Sequence, residues 1–418
     1  MQASDPCVII PTFWTKRRVR TRMRDRLIDV YDHPTPLDED GTLPDLLRSL
    51  EAVRFGGKVA VLVSATDGTN DHEAEDKVRE ILDDFPGLDT LVFGPAELGS
   101  LHRRLEQLEF ADTIPGISLT GYGAVRNLGL VVAAVLGCEA VVFLDDDAVI
   151  PDREFFERGM EGLGQSFPDG EPILAKSGYY VDKKGRYQMH HDPHWADMLW
   201  RQDDDYNEAL AIVDAPPRLR RSTVAFGGCL ALHRDMYVNV SFDPWVVRGE
   251  DMDYVINARM HGADVFLDGE WKIVHQPPEA PSEAIALRQD VYRFIYEHRK
   301  LEFAKSQVDL RQVTAESMRP YPGDFIGGSI EWRALFTALL HALAGKEAGS
   351  YMKVARAAMK DAAAYARKHC DDYFAFQRRW PVLMERVWED VALKPLFTGE
   401  RRVDRSAITG RFPPVRAD

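Results

Sequence analysis

Val141-Val142-Phe143-Leu144-Asp145-Asp146-Asp147 decides how the rest of the chain is read. Four apolar residues in a row, two of them β-branched, predict a strand buried on both faces, as in a parallel sheet. The strand runs straight into three carboxylates. Side chains alternate along an extended chain, so Asp145 and Asp147 point the same way. Two carboxylates on one side of a strand's end make a hard oxygen site suited to Mg²⁺ or Mn²⁺, and three adjacent anions repel one another without a cation. The plainer alternative is an acidic turn in which Asp147 or Asp152 caps a helix over 153–160.

Upstream, Tyr122 to Leu136 reads as a helix with apolar Leu128, Val131, Val132 and Val135, closed by Gly137. Residues 90–93, 59–63 and 8–10 predict three more strands, the last closed by Pro11. Helical patterns lie between them, over 71–83 and through Leu46, Leu47, Leu50 and Val53. Strands alternating with helices imply βαβ units and a mostly parallel sheet. Ligands of such sheets bind outside the carboxyl ends of the strands, so the residues to weigh are Pro11, Thr12, Asp67 and Asp145 to Asp147.

Downstream, residues 223–226 predict a strand leading into Gly227-Gly228-Cys229. Gly249-Glu250-Asp251 opens a helical pattern of Met252, Val255, Ile256 and Met260. Two short strands are expected at 265–267 and 271–274, followed by His275. From about Ser282 the chain reads as helical, with a break at 319–328. The expected division is an α/β domain over 1–280, a helical linker over 281–320, a helical region over 321–398 and a loose basic tail over 399–418.

Several residues outside the aspartate run carry chemistry of their own. His275, just after a strand, is a candidate to complete a carboxylate metal site, and a mixed nitrogen and oxygen set suits Mn²⁺ better than Ca²⁺. Asp251 sits at a helix start, where it either caps the helix or acts as general base toward an attacking hydroxyl; Glu250 and Asp253 share those roles. Gly121-Tyr122-Gly123-Ala124-Val125-Arg126 resembles a dinucleotide loop superficially, but the preceding strand is weak and Arg126 replaces the last glycine. Arg126 is better read as a cation for phosphate near a helix start. Seven cations between Lys16 and Arg26 read as solvated surface, with an anionic substrate or membrane surface as the alternative. His190, His191 and His194 match no standard zinc spacing and are read as a substrate loop or plain surface.

The chain has 418 residues, 45% hydrophobic and 28% charged, with a formal net charge of −15, an ordinary balance for a globular enzyme and the wrong sign for a non-specific nucleic-acid binder. Cys7, Cys138, Cys229 and Cys370 form no CxxC pair and read as reduced thiols of a cytoplasmic protein. No run of about 18 apolar residues predicts a membrane span.

In order along the chain, these residues resemble the GT-A glycosyltransferases, especially the large family 2 type. Val8 to Thr12 looks like that family's first strand, and Pro36 to Leu50 like the helix after it. Ser64-Ala65-Thr66-Asp67-Gly68-Thr69 resembles the acidic turn after the second strand, Gly123 to Asn127 the "GARN" helix, and Val142 to Asp147 the DxD strand. Gly227-Gly228, Glu250-Asp251 and His275 extend the likeness to about residue 278. The segment between Trp14 and Thr35 is longer and more basic than usual, and the turn at Asp67 lacks a second acid before its glycine.

The resemblance implies a GT-A domain with a C-terminal helical extension, which covers the acceptor side or forms a homodimer. It implies Mn²⁺ or Mg²⁺ as cofactor and a UDP- or GDP-sugar as donor. Pro11, Thr12 and Asp67 would hold the nucleobase, and Arg126 and Asn127 would line the donor pocket. Asp145 and Asp146 would bind the nucleotide, and Asp147, His275 and Asp145 would ligate the metal. Asp251, with Glu250 beside it, would be the base of an inverting enzyme. Gln377-Arg378-Arg379-Trp380 is one residue short of the processive synthases' QxxRW and is read as coincidence, so a single sugar transfer is expected. The main rival is a haloacid-dehalogenase-type phosphatase with Asp145 as nucleophile, although that fold places its nucleophile strand first. A nucleotidyltransferase would need a glycine-rich loop that residues 11–18 lack, and a non-catalytic binding module would have no use for the metal.

Overall fold

A computed structural model describes residues 6–16, 34–66, 68–189, 194–277, 282–345 and 347–398. Asp67, the basic run after Lys16, His190, His191 and the tail after Thr398 lie outside the described residues.

The first half alternates as expected: β1 (Cys7–Thr15), β2 (Thr35–Pro36), α1 (Leu43–Ala52), β3 (Lys58–Ala65), α2 (Asp71–Asp83), β4 (Asp89–Phe93), α3 (Pro95–Gln107), α4 (Tyr122–Leu136) and β5 (Ala140–Leu144). After the aspartates come β6 (Ala148–Val149), α5 (Phe155–Met160), β7 (Ala175–Val181), α6 (Gln202–Leu210), β8 (Leu219–Arg221), β9 (Cys229–His233), α7 (Arg234–Tyr237), α8 (Glu250–Met260) and β10 (Val265–His275). The C-terminal part is helical: α9 (Glu283–Ala304), α10 (Ile330–Leu343), α11 (Ala348–Arg356), α12 (Ala362–Val387) and α13 (Lys394–Phe397).

These strands form one sheet in the order β4-β3-β1-β5-β9-β7-β10-β6, with β2 beside β1 and β8 beside β10. The pairs β3–β4, β1–β3, β1–β5 and β7–β10 are parallel, and β9 runs antiparallel between β5 and β7. Strand order reverses at β1: the chain builds outward through β3 and β4, then returns to lay β5 on the other side. A crevice at the carboxyl ends of β1 and β5 follows from that reversal. Pairing of β1 with β5 stops at Ile9 opposite Phe143, whereas β1 stays paired with β3 as far as Trp14. The gap that opens there receives Asp145 to Asp147.

Some expected elements change. Pro11 does not close the first strand but sits inside β1 opposite Leu62, beyond the last β1–β5 pair. The two short strands expected around Gly269 are one strand, β10, with an irregular register between Leu267 and Lys272. Residues 223–226 are not a strand; the strand follows them as β9. The helix over Tyr122 to Leu136 stands as expected, buried along nearly its whole length, and Gly137 ends it in a left-handed turn at φ +75°.

Residues 281–320, expected as a linker, contain the 22-residue α9, whose buried face runs from Ala284 to Ala304. A single apolar cluster extends from Cys7 to Phe397, so the C-terminal helices share the sheet's core. Polar anchors fix them. Gln377 accepts hydrogen bonds from Ser241 N at 2.9 Å and Ser241 Oγ at 2.7 Å, and Trp380 Nε1 donates to Tyr237 O at 2.9 Å. The Gln377–Trp380 stretch therefore bolts α12 to the loop before α8. Among the described residues, no helix is long and apolar enough to cross a membrane.

Candidate functional site

The carboxyl end of β5 carries a linked set of charges. Asp145 Oδ1 accepts from Arg126 Nη2 at 2.8 Å, and Asp145 Oδ2 accepts from the Tyr180 hydroxyl at 2.6 Å. Arg126 also directs Nε toward Glu250 Oε1 at 3.2 Å. Thus α4, β5 and α8 are joined at one point through a guanidinium that is 6% exposed. The pair of carboxylates holds Arg126 protonated against the cost of burial. Among the described residues its Nη1 has no hydrogen-bond partner.

The three aspartates differ by surroundings. Burial would raise Asp145, but Arg126 and the Tyr180 hydroxyl bring it below the usual carboxylate range. Asp146 accepts from Thr12 Oγ1 at 2.5 Å, and burial together with the charge of Asp147 pushes it up to about 8. Burial and the neighbouring charges thus favour the neutral form of the middle carboxyl, which eases the repulsion expected of three adjacent anions. Asp147 Oδ2 lies 3.2 Å from His275 Nε2, and Asp147 Oδ1 is buried with no hydrogen-bond partner among the described residues. Burial would lower the His275 imidazole, but its hydrogen bond to Asp147 and the neighbouring aspartates raise it overall. His275 reaches Asp147 because β10 pairs antiparallel with β6, placing His275 opposite Ala148.

Tyr180, at the end of β7, was not singled out by sequence. Its hydroxyl also accepts from Gly228 N at 2.7 Å, and its ring stacks on His275 at 4.3 Å. The one available signal was an aromatic pair, Tyr179-Tyr180, closing an extended run. Gly227 and Gly228 have a steric reason: a Cβ on Gly228 would stand 2.4 Å from Asp145 Oδ2, and one on Gly227 2.5 Å from Arg126 Nη2.

Asp251 Oδ2 accepts from Gly227 N at 2.9 Å and Oδ1 from Met252 N at 2.8 Å. Burial raises it above the usual carboxylate value; those two N–H groups and the guanidiniums of Arg293 and Arg126 pull it down. Burial likewise lifts Glu250 to about 7 against the opposing charge of Arg126. Asp253, the third acid of this helix start, faces away into a cluster with Lys300 and Asn257.

The structure thus gathers Thr12, Arg126, Asp145, Asp146, Asp147, Glu250, Asp251 and His275 around one crevice. Asn127 is a correction. Its side chain is fully buried, donating to Gly116 O and Phe242 O at 3.1 and 3.0 Å and accepting from Phe242 N at 2.8 Å. With these bonds it braces α4 against the loop before α8 rather than lining a pocket. Pro11, expected at the nucleobase, is instead buried within β1 opposite Leu62. Asp145, whose two oxygens are taken by Arg126 and Tyr180, is also poorly disposed as a phosphatase nucleophile.

Neither a protein-family model nor a curated protein sequence matches the chain. Solved structures similar to it include the mannosyltransferase PcManGT from Pyrobaculum calidifontis in complex with GDP-Man and Mn²⁺, at 16% identity and a TM-score of 0.42, covering 90% of this chain and 87% of that one. Glucosyl-3-phosphoglycerate synthase from Mycobacterium tuberculosis, in complex with Mn²⁺, UDP and phosphoglyceric acid, has 13% identity and a TM-score of 0.35, covering 71% and 79%. GalNAc-T7 with UDP, GalNAc and Mn²⁺ has 11% identity and a TM-score of 0.36, covering 80% and 56%.

Proposed function

We propose that this protein is a metal-dependent GT-A glycosyltransferase that moves one sugar from a nucleotide-diphosphate sugar to an acceptor hydroxyl. The observation that carries the reading is Asp147. Its buried Oδ1 lacks a partner among the described residues and its Oδ2 is paired with an imidazole, at the reversal point of a mostly parallel sheet. An oxygen with no protein donor, next to a histidine nitrogen, is a donor set that fits Mn²⁺ or Mg²⁺. Asp147 and His275 would hold the ion, with Asp145 facing it, and the ion would supply charge to offset a leaving diphosphate.

The chain's own residues account for the rest. Arg126 is fixed from two sides by Asp145 and Glu250, so its free Nη1 is a preorganised donor for phosphate oxygen. Asp146, in the turn after β5, and the buried Thr12 that donates to it are assigned to the nucleoside, as is Asp67. Asp251 is assigned as the base. A carboxylate has about four lone-pair sites, and its two backbone donors leave room for an acceptor hydroxyl. Burial raises its proton affinity toward what a base at neutral pH needs. A base on the acceptor side implies inversion at the sugar carbon. Arg293, which tunes Asp251, comes from α9, so the C-terminal helices are assigned to the acceptor side.

A thermal-shift panel of UDP-, GDP- and TDP-sugars, each with and without Mn²⁺, tests the proposal. Stabilisation is expected with one nucleotide class and only when metal is present. A shift that is indifferent to metal, or that survives Asp147→Ala intact, overturns it.

A further inference from the structure

The turn after β7 brings a second set of ligating atoms together. His194, Asp197 and His341 each offer one donor atom, and these atoms all lie within 4.8 Å of one another. His341 Nε2 stands 2.6 Å from Asp197 Oδ1, across 144 residues of sequence. The His341 ring is fixed by stacking on His194 at 5.3 Å and 22° and on Tyr351 at 4.5 Å and 13°. Sequence spacing could not show this, because the third donor comes from α10 rather than from the neighbouring histidines.

We propose that His194, Asp197 and His341 form a second metal site that takes a four-coordinate transition ion, with Zn²⁺ as the leading candidate. Two imidazoles and one carboxylate favour Zn²⁺ or Co²⁺ over Mg²⁺ or Ca²⁺. Three protein ligands leave a fourth position for water, as in open zinc sites. Bonds of about 2.0–2.1 Å place tetrahedral ligand atoms roughly 3.3–3.5 Å apart, so the set closes with shifts of about 1 Å. Binding exchanges the His341–Asp197 hydrogen bond for two metal bonds and releases any proton those groups hold.

The consequence is a clamp. The same turn already leans on the C-terminal helices, through Arg333 Nε to Leu199 O at 3.1 Å and the Trp200 ring against Phe294 and Phe325. A metal there ties the loop that leaves Tyr180 to α10. The site has no group in common with the rim at Asp147, and it stands whether or not the glycosyltransferase reading does.

The test uses metal-stripped full-length protein titrated with Co²⁺ and then Zn²⁺, followed by visible absorption and calorimetry. One equivalent of Co²⁺ is expected to give the intense visible bands of a four-coordinate ion, to be displaced by Zn²⁺, and to do so equally in Asp147→Ala. His194→Ala alters an exposed residue; it removes the cap that His194 Nδ1 gives Ala196 N at 3.2 Å, so a small drop in the metal-free melting temperature is expected, and Zn²⁺ binding is expected to weaken by more than about 10-fold. His341→Gln is expected to weaken binding as much. The proposal is overturned if no such bands form, if they persist in His194→Ala, or if they vanish only in Asp147→Ala, which would put the ion at the rim alone.

Discussion

Two ionic clusters in this protein use nearly the same residue types to opposite ends. Behind the sheet, Lys300 Nζ lies 2.6 Å from Asp243 Oδ2, 2.6 and 2.7 Å from the two Asp253 oxygens, and 3.1 Å from Asn257 Oδ1. Tyr296 donates to Asp243 at 2.9 Å, and the ammonium sits 4.3 Å from the centre of the Tyr373 ring. Lys300, Asp243 and Asp253 have no exposed surface, and none of their polar side-chain atoms lacks a partner. At the rim, by contrast, Asp147 Oδ1 and Arg126 Nη1 are buried with no hydrogen-bond partner among the described residues. A saturated network rigidifies; an unsaturated one keeps capacity for a ligand and costs stability until the ligand arrives. The closed cluster joins the loop before α8, α8 itself, α9 and α12, and so holds the helices against the domain that carries the open one.

The sharpest way to break the contrast is Lys300→Met. It leaves two carboxylates buried without their cation and is expected to lower unfolding free energy by about 3–5 kcal/mol in denaturant titration. Nucleotide affinity per folded molecule should hold. Adding Asp243→Asn and Asp253→Asn to that variant is expected to restore part of the loss. Asp147→Ala should do the reverse. Turnover of nucleotide sugar is expected to fall about 100- to 1000-fold, with unfolding free energy unchanged within about 1 kcal/mol, since removing the unpaired buried oxygen offsets losing the bond to His275. A substantial loss of stability in that variant would show the rim to be structural after all.

Gly228→Ala probes how tightly the rim is assembled. The added methyl meets the Asp145 carboxylate and the Tyr180 hydroxyl, so a cost of about 1–3 kcal/mol is expected, read as weaker nucleotide binding and a lower melting temperature together. Thr12→Val is the mildest change. Loss of the hydroxyl bonded to Asp146 is expected to cost about 1 kcal/mol in stability, and an unchanged melting temperature would mean that Thr12 does not brace the crevice.

Legibility in the sequence followed apolar pattern. Where strands are uniform, as in Val59 to Val63 or Val141 to Leu144, their place and type could be read directly. β7 breaks the pattern: Lys176, its second residue, is 1% exposed and donates to Arg158 O and Glu161 O at 2.7 Å each, with Asp268 at 3.0 Å. A buried lysine satisfied by distant partners cannot be told from a surface lysine in one dimension. The same limit hid Tyr180, carried by that strand, and misassigned Asn127, whose amide is used up by the backbone at 116 and 242.

Sequence alone determined the parallel α/β half, the aspartates at the end of a buried strand, and His275 and Asp251 as groups to watch, because hydrophobic periodicity and strand ends are local properties. Only the tertiary structure decided which of those groups meet. It ended the β1–β5 pairing at Ile9 to open the crevice, set Arg126 between Asp145 and Glu250, and left one oxygen of Asp147 unclaimed. The reason is physical: whether a polar atom is satisfied depends on partners brought in by packing from far along the chain, and no spacing rule encodes them.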